Sequence, residues 1–151
     1  MRLRYLSLIA LIVLISSCAT APVAQRENRI MGLVDRINGD SLVRVMEVTS
    51  VPFVLDQEIL SLEGDVETMW SNMREAGFFL LNAEIDEIMP VQKGSYRRFG
   101  DTMDMRVFFE KYIPEDATLV RISSDNGNFL FLLGDKFWGV PRMYAMKGPL
   151  P

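Results

Sequence analysis

The tightest constraint on the fold lies near the end of the chain. Thr118-Leu119-Val120-Arg121-Ile122 and Phe129-Leu130-Phe131-Leu132-Leu133 flank Asp125-Asn126-Gly127. Two runs of β-branched, aliphatic and aromatic residues around a turn whose residues tolerate positive φ specify an antiparallel hairpin. A further strand is expected over about residues 142–147, before Gly148-Pro149. Any fold for this chain must therefore hold a sheet, and the sheet must be packed by a core rather than stapled. Cys18 is the only cysteine, so no disulfide can form within the chain.

The first half reads differently. Ile30, Leu33, Val34 and Ile37 recur at helical spacing, and Asn38-Gly39 supplies residues suited to a left-handed cap. Asp40 is expected to cap a second, shorter helix carrying Leu42, Val45 and Met46. Residues 51–56 predict a strand with Pro52 at its start or on an edge. Val66, Met69, Trp70 and Met73 form an i, i+3, i+4, i+7 stripe, with Asp65 as expected N-cap and Gly77 as terminator. Residues 78–89 are strand-like, acidic at the far end, and Lys93-Gly94-Ser95 reads as a turn. Residues 101–112 alternate through Met103, Met105, Val107 and Phe109 like a strand. Met105, Phe108, Phe109 and Tyr112 also fit a helix capped by Asp101, and the helix is the expectation adopted. Helices, a strand, another helix and then a run of strands make an α+β order.

The chain opens MRLRYLSLIALIVLISSC. Tyr5 to Ile15 is apolar except for Ser7, about 11 residues, and a helix of that length covers roughly 16 Å, about half a bilayer core. That is short for a span and right for a signal peptide behind Arg2 and Arg4. Ile15-Ser16-Ser17-Cys18 resembles the lipobox of bacterial lipoproteins. The resemblance implies a signal peptide over 1–17 and lipidation at Cys18. The alternative is a signal cut elsewhere, with Cys18 incidental. Residues 18–25 then read as a tether of small residues before a single domain, 26–151. Ala19 stands where that family often has the Asp of inner-membrane retention. The implied location is therefore the cell envelope, at the outer membrane facing the periplasm or at the cell surface. Two or more acyl chains on Cys18 would hold the domain stably to the membrane with no spanning helix.

The chain carries 16 Lys and Arg against 20 Asp and Glu. Arg2 and Arg4 lie in the signal segment, so the net charge of −4 falls to about −6 without them. No basic stripe suits a nucleic acid. There is no histidine, which removes His-based triads, His metal sites and His proton shuttles. No metal and no cofactor is expected. Met103-x-Met105, Met143-x-x-Met146 and Met69-x-x-x-Met73 are thioether pairs of a kind that binds Cu(I), but methionine also fills irregular cores.

Asn38-Gly39-Asp40 between two helices, Pro52-Phe53-Val54-Leu55-Asp56 as first strand and Gly64-Asp65-Val66-Glu67 opening a third helix resemble the nuclear-transport-factor-two-like, or SnoaL-like, superfamily over about residues 26–77. The resemblance implies N-terminal helices packed on a curved antiparallel sheet, a cystatin- or SnoaL-like roll with a cone-shaped pocket. Members include isomerases, dehydratases and binding modules, so fold leaves function open. An isomerase of this type needs an Asp base with Tyr and a second Asp in an apolar pocket. Asp56, Asp86, Asp104, Tyr96, Tyr112 and Tyr144 are the raw material here. The expectation adopted is a lipid-anchored, non-catalytic module that binds a partner protein or an apolar ligand, with an anchored isomerase or dehydratase as the alternative. The expected contact residues are Phe53, Trp70, Phe108, Tyr112, Phe131, Phe137 and Trp138. Arg97-Arg98 is either a solvated pair or the place where an anionic head group or acidic partner is met.

Overall fold

The computed structural model describes residues 21–137 and 139–151, with the side chains of 21, 22 and 135–137 excepted. The signal segment and Cys18 lie outside the described residues. Helix α1, Ala21–Asn38, begins inside the stretch expected to be a tether. Its first turns are exposed, and burial starts where the apolar spacing starts, at Ile30. Helix α2, Leu42–Val48, is capped by Ser41 and not by Asp40: the Arg44 N–H donates to Ser41 Oγ at 3.4 Å. Strand β1 is Thr49–Leu55, and a hairpin through Asp56 leads to β2, Glu58–Leu60. Helix α3, Glu63–Glu75, starts two residues before the expected cap. Its N-cap Leu62 gives no side-chain bond, so Glu63 and Asp65 instead place negative charge in the first turn, where the helix dipole favours it.

The expected strand over 78–89 is cut to β3, Glu84–Pro90. Residues 78–83 form a loop fixed by side chains. Asn38 holds Leu80 by both backbone groups: its amide donates to the Leu80 carbonyl at 3.1 Å and accepts from the Leu80 N–H at 2.8 Å. Asn126 donates to the Phe79 carbonyl at 2.6 Å. A 3₁₀ turn at Ser95–Arg98 precedes helix α4, Met103–Tyr112, so the helical expectation for 101–112 holds. Its cap is Thr102 rather than Asp101, through Met105 N–H to Thr102 Oγ1 at 3.2 Å. The hairpin is β4, Thr118–Ser124, and β5, Gly127–Phe137, with Asp125 and Asn126 as its loop. Strand β6, Val140–Leu150, runs past Gly148-Pro149, where the sequence pattern ended it.

The six strands lie in the order β2-β1-β6-β5-β4-β3. The sheet is mixed rather than antiparallel, because β1 runs parallel to β6. Pro52 falls inside β1 and not at its start, but β2 pairs only with residues 53–55, so Pro52 lies beyond the reach of that neighbour. The ladder to β6 shifts between Thr49 and Val54, around the residue that has no N–H to give. The helices are not confined to one face. α1, α2 and α3 pack on one side, over Phe53, Val120, Ile122, Phe131, Met143 and Met146. The 3₁₀ turn and α4 pack on the other, over Val54, Leu119, Leu130, Leu132 and Tyr144. The result is an α+β fold of three layers.

Bulges explain two sequence spacings. In β3 the register shifts between Ile85 and Glu87, so Ile85 and Ile88, three residues apart, both reach the α1–α3 side. In β6 the extra residue Tyr144 does the same for Met143 and Met146. Close approach of α1 to β6 needs Gly32, where a Cβ would stand 3.1 Å from Val140 Cγ1.

Candidate functional site

The expected contact residues do not form one site. Phe53, Trp70 and Phe131 are 0, 1 and 0% exposed in the core between the sheet and α1–α3. Trp70 fills the space where a cone-shaped pocket was expected. Its ring centroid is 6.5 Å from that of Phe53, and its Nε1–H donates to Thr49 Oγ1 at 3.1 Å. Thr49 in turn donates to the Val45 carbonyl at 2.7 Å. The one polar atom of the indole is thus satisfied inside the core, as a buried Trp requires. Phe108 is buried on the opposite side of the sheet, and Tyr112 beside it is 39% exposed. The Phe137 side chain and Trp138 lie outside the described part.

The isomerase set is dispersed as well. Asp56 sits at φ 54° in the β1–β2 turn, where its carboxylate accepts from the Gly148 N–H at 3.0 Å. Asp86 is on the β3 edge and accepts from Ser123 Oγ at 2.9 Å. Asp104 is in the first turn of α4. All three are exposed, while Tyr144 is buried under α4. The thioether pairs do not converge on solvent. Met143, Met146 and Met69 are buried with α1–α3. Met103 is exposed and Met105 buried, because residues two apart on a helix point away from each other. Among the described residues there is no group of three or more Cys, Asp and Glu that could hold a metal ion.

What the structure does assemble is a surface cleft of about 740 Å³ beside α4. Val91, Tyr96, Phe109 and Ile113 give it apolar walls, and Lys93, Arg97 and Arg106 bring cations to its rim. Tyr96 meets Phe109 edge-on at 6.4 Å, and the Arg97 guanidinium lies 5.5 Å from the Tyr96 ring centre. Arg97, in the 3₁₀ turn, pairs with Asp101 at 3.4 Å, and Arg106 pairs with Glu110 one turn along α4 at 2.9 Å; both pairs are exposed. Tyr96 first and Asp101 second hold the Arg97 guanidinium above its usual pKa, and the hydrogen bond that Arg106 donates to Glu110 does the same for Arg106. Lys93 has no such partner among the described residues. Aromatic edges next to exchangeable surface ion pairs can bind an amphiphilic surface, since such pairs cost little to reorganise.

Sequence reasoning had half of this cleft. Arg97-Arg98 reads in sequence as a solvated pair or as a meeting point for an anion, but the contact of neighbouring Tyr96 with Phe109 requires the fold to bring the 3₁₀ turn against α4. The signal available in sequence was Tyr96-Arg97-Arg98-Phe99, a cluster of aromatic and basic residues just after a turn. Compared with known proteins, the chain matches no family model, no curated protein and no solved structure.

Proposed function

We propose that the protein is a lipid-anchored, non-catalytic module of the cell envelope that binds a partner protein through the cleft beside α4. The observation that carries this reading is Trp70. It occupies the space between sheet and helices that an isomerase would keep open for substrate, and an apolar ligand loses the same space. The three helices α1–α3 on one face of the sheet support the SnoaL-like likeness proposed for the first half. Helix α4 on the far face is the departure from it, and it builds the cleft. Tethering through Cys18 suits such a module, because it raises local concentration without new contacts.

Two experiments test the two parts of the reading. Labelled fatty acid should enter the wild-type protein and not Cys18→Ser; equal labelling of both removes the anchor. A photo-crosslinking residue at Gln92, in the cleft, should trap one envelope protein in cells. The same residue at Glu75, on α3, should not, and the Gln92 adduct should disappear with Tyr96→Ala. Adducts that are the same from both positions remove the cleft.

A further inference from the structure

A second cleft, of about 120 Å³, lies at the opposite corner of the fold, where the chain enters α1. Arg26 and Arg29, one turn apart on α1, line it together with Thr118, Gly134 and Asp116. Neither arginine has an ion pair among the described residues. Gly134 lines it with backbone alone: a Cβ there would point to the other face of the sheet, 2.6 Å from Pro114 Cγ and 3.0 Å from Tyr144 Cε2.

The place of this cleft is set by the chain. Two residues lie between Cys18 and the start of α1 at Ala21, so three chain steps span at most roughly 11 Å. Five helical residues add about 8 Å, so Arg26 lies within about 19 Å of Cys18. Asn38, at the other end of α1, is about 18 Å from Arg26 along the helix. There stand Asp40, the β4–β5 turn with Asp125, and Glu84 at the start of β3, all exposed. Arg26 and Arg29 thus stand without an ion pair at the end nearest Cys18, while the far end carries a group of carboxylates with Arg44 of α2 among them.

Resting on the lipid-anchor reading, we propose that this cleft binds the phosphoethanolamine head group of the membrane that holds the protein, and so fixes the orientation of the domain. Arg26 and Arg29 supply donors for the phosphate, and Asp116 accepts from the primary ammonium. A choline head group has no N–H to offer Asp116. A glycerol head group has no cation for it.

The full lipidated chain, reconstituted into vesicles, tests this by hydrogen exchange of the α1 amides over residues 21–30, with residues 77–82 as the distal control. Phosphatidylcholine vesicles give the baseline. Adding phosphatidylethanolamine should slow exchange over 21–30 by about tenfold, the effect of one or two charge-assisted hydrogen bonds. The distal loop should not change. Arg26→Ala with Arg29→Ala should return exchange to baseline, and the paired Lys variants should restore part of the protection. Asp116→Asn should abolish the difference between ethanolamine and choline lipids. Equal slowing by phosphatidylglycerol, with Asp116→Asn still protected, would mean charge attraction alone and overturn the assignment. Failure of the wild type to float with phosphatidylcholine vesicles removes the anchor itself, an outcome separate from failure of the head-group cleft.

Discussion

The two faces of the sheet are made from the same strands and finished differently. On the α1–α3 face, three helices close over Phe53, Trp70, Phe131, Met143 and Met146, and even the indole N–H is satisfied within the core. On the other face one ten-residue helix and a 3₁₀ turn cover only part of the surface. Past the reach of α4 the face is polar, with Arg121 opposite Glu87 at 3.8 Å and Ser123 donating to Asp86. Beside α4 it holds the cleft. Strand alternation sends residues to both sides equally, so the difference comes from the helices and not from the strands. A face closed on all sides serves stability. A face closed by one short helix leaves aromatic edges available for contact.

The comparison is broken most directly at Trp70. If the α1–α3 face is the closed one, Trp70→Ala should cost about 3–5 kcal/mol in denaturant unfolding, a large part of the stability of a domain this size. A loss under about 1 kcal/mol would show that the space around Trp70 is not packed.

Gly134→Ala probes the opposite side with a single methyl group. The added carbon would press on Pro114, just after α4, and on Tyr144. The expected cost is about 1–3 kcal/mol. An unchanged melting temperature would mean that the segment after α4 yields freely. Thr49→Val acts inside the closed face at nearly constant volume. It removes the acceptor of the Trp70 N–H and leaves that donor buried without a partner, at about 1–2 kcal/mol in the same unfolding measurement. If the effect is within error, water or another acceptor reaches the indole and the face is less closed than described.

Sequence pattern carried the closed face better than the open one, for a physical reason. Val66, Met69 and Trp70 repeat on one helix, and Phe129 and Phe131 repeat on one strand, so each declares its buried side by its own period. The hairpin at Asp125-Asn126 was legible from turn chemistry alone. Strands β3 and β6 were harder, because their bulges place Ile85 with Ile88 and Met143 with Met146 at a spacing of three, which imitates a helix. The parallel pairing of β1 with β6 joins residues about ninety positions apart and leaves no local mark. Residues 78–83 looked like a strand because they are apolar, yet their backbone bonds go to Asn38 and Asn126, distant in sequence. The cleft failed to appear for the same reason: Tyr96 and Phe109 sit on separate elements, and only the packing of the 3₁₀ turn against α4 makes them neighbours.

The smallest effect on stability is expected where the effect on binding is largest. Arg97 is exposed, its pair with Asp101 is long, and its contact with Tyr96 is at the surface. Exposed pairs of this kind contribute roughly 0–1 kcal/mol. Arg97→Ala should therefore leave the unfolding midpoint within error of the wild type. If the cleft is the partner surface proposed, the same side chain becomes desolvated between Tyr96 and the partner, and Arg97→Ala should lower affinity roughly thirtyfold. Arg97→Lys keeps the charge and loses the planar stack, so it should recover only part of the binding. Measuring both variants by unfolding and by capture of the cross-linked partner sharpens the contrast between the faces. A fall in stability that matches the fall in binding would mark Arg97 as part of the scaffold, and the α4 face would then be a second core rather than a surface for contact.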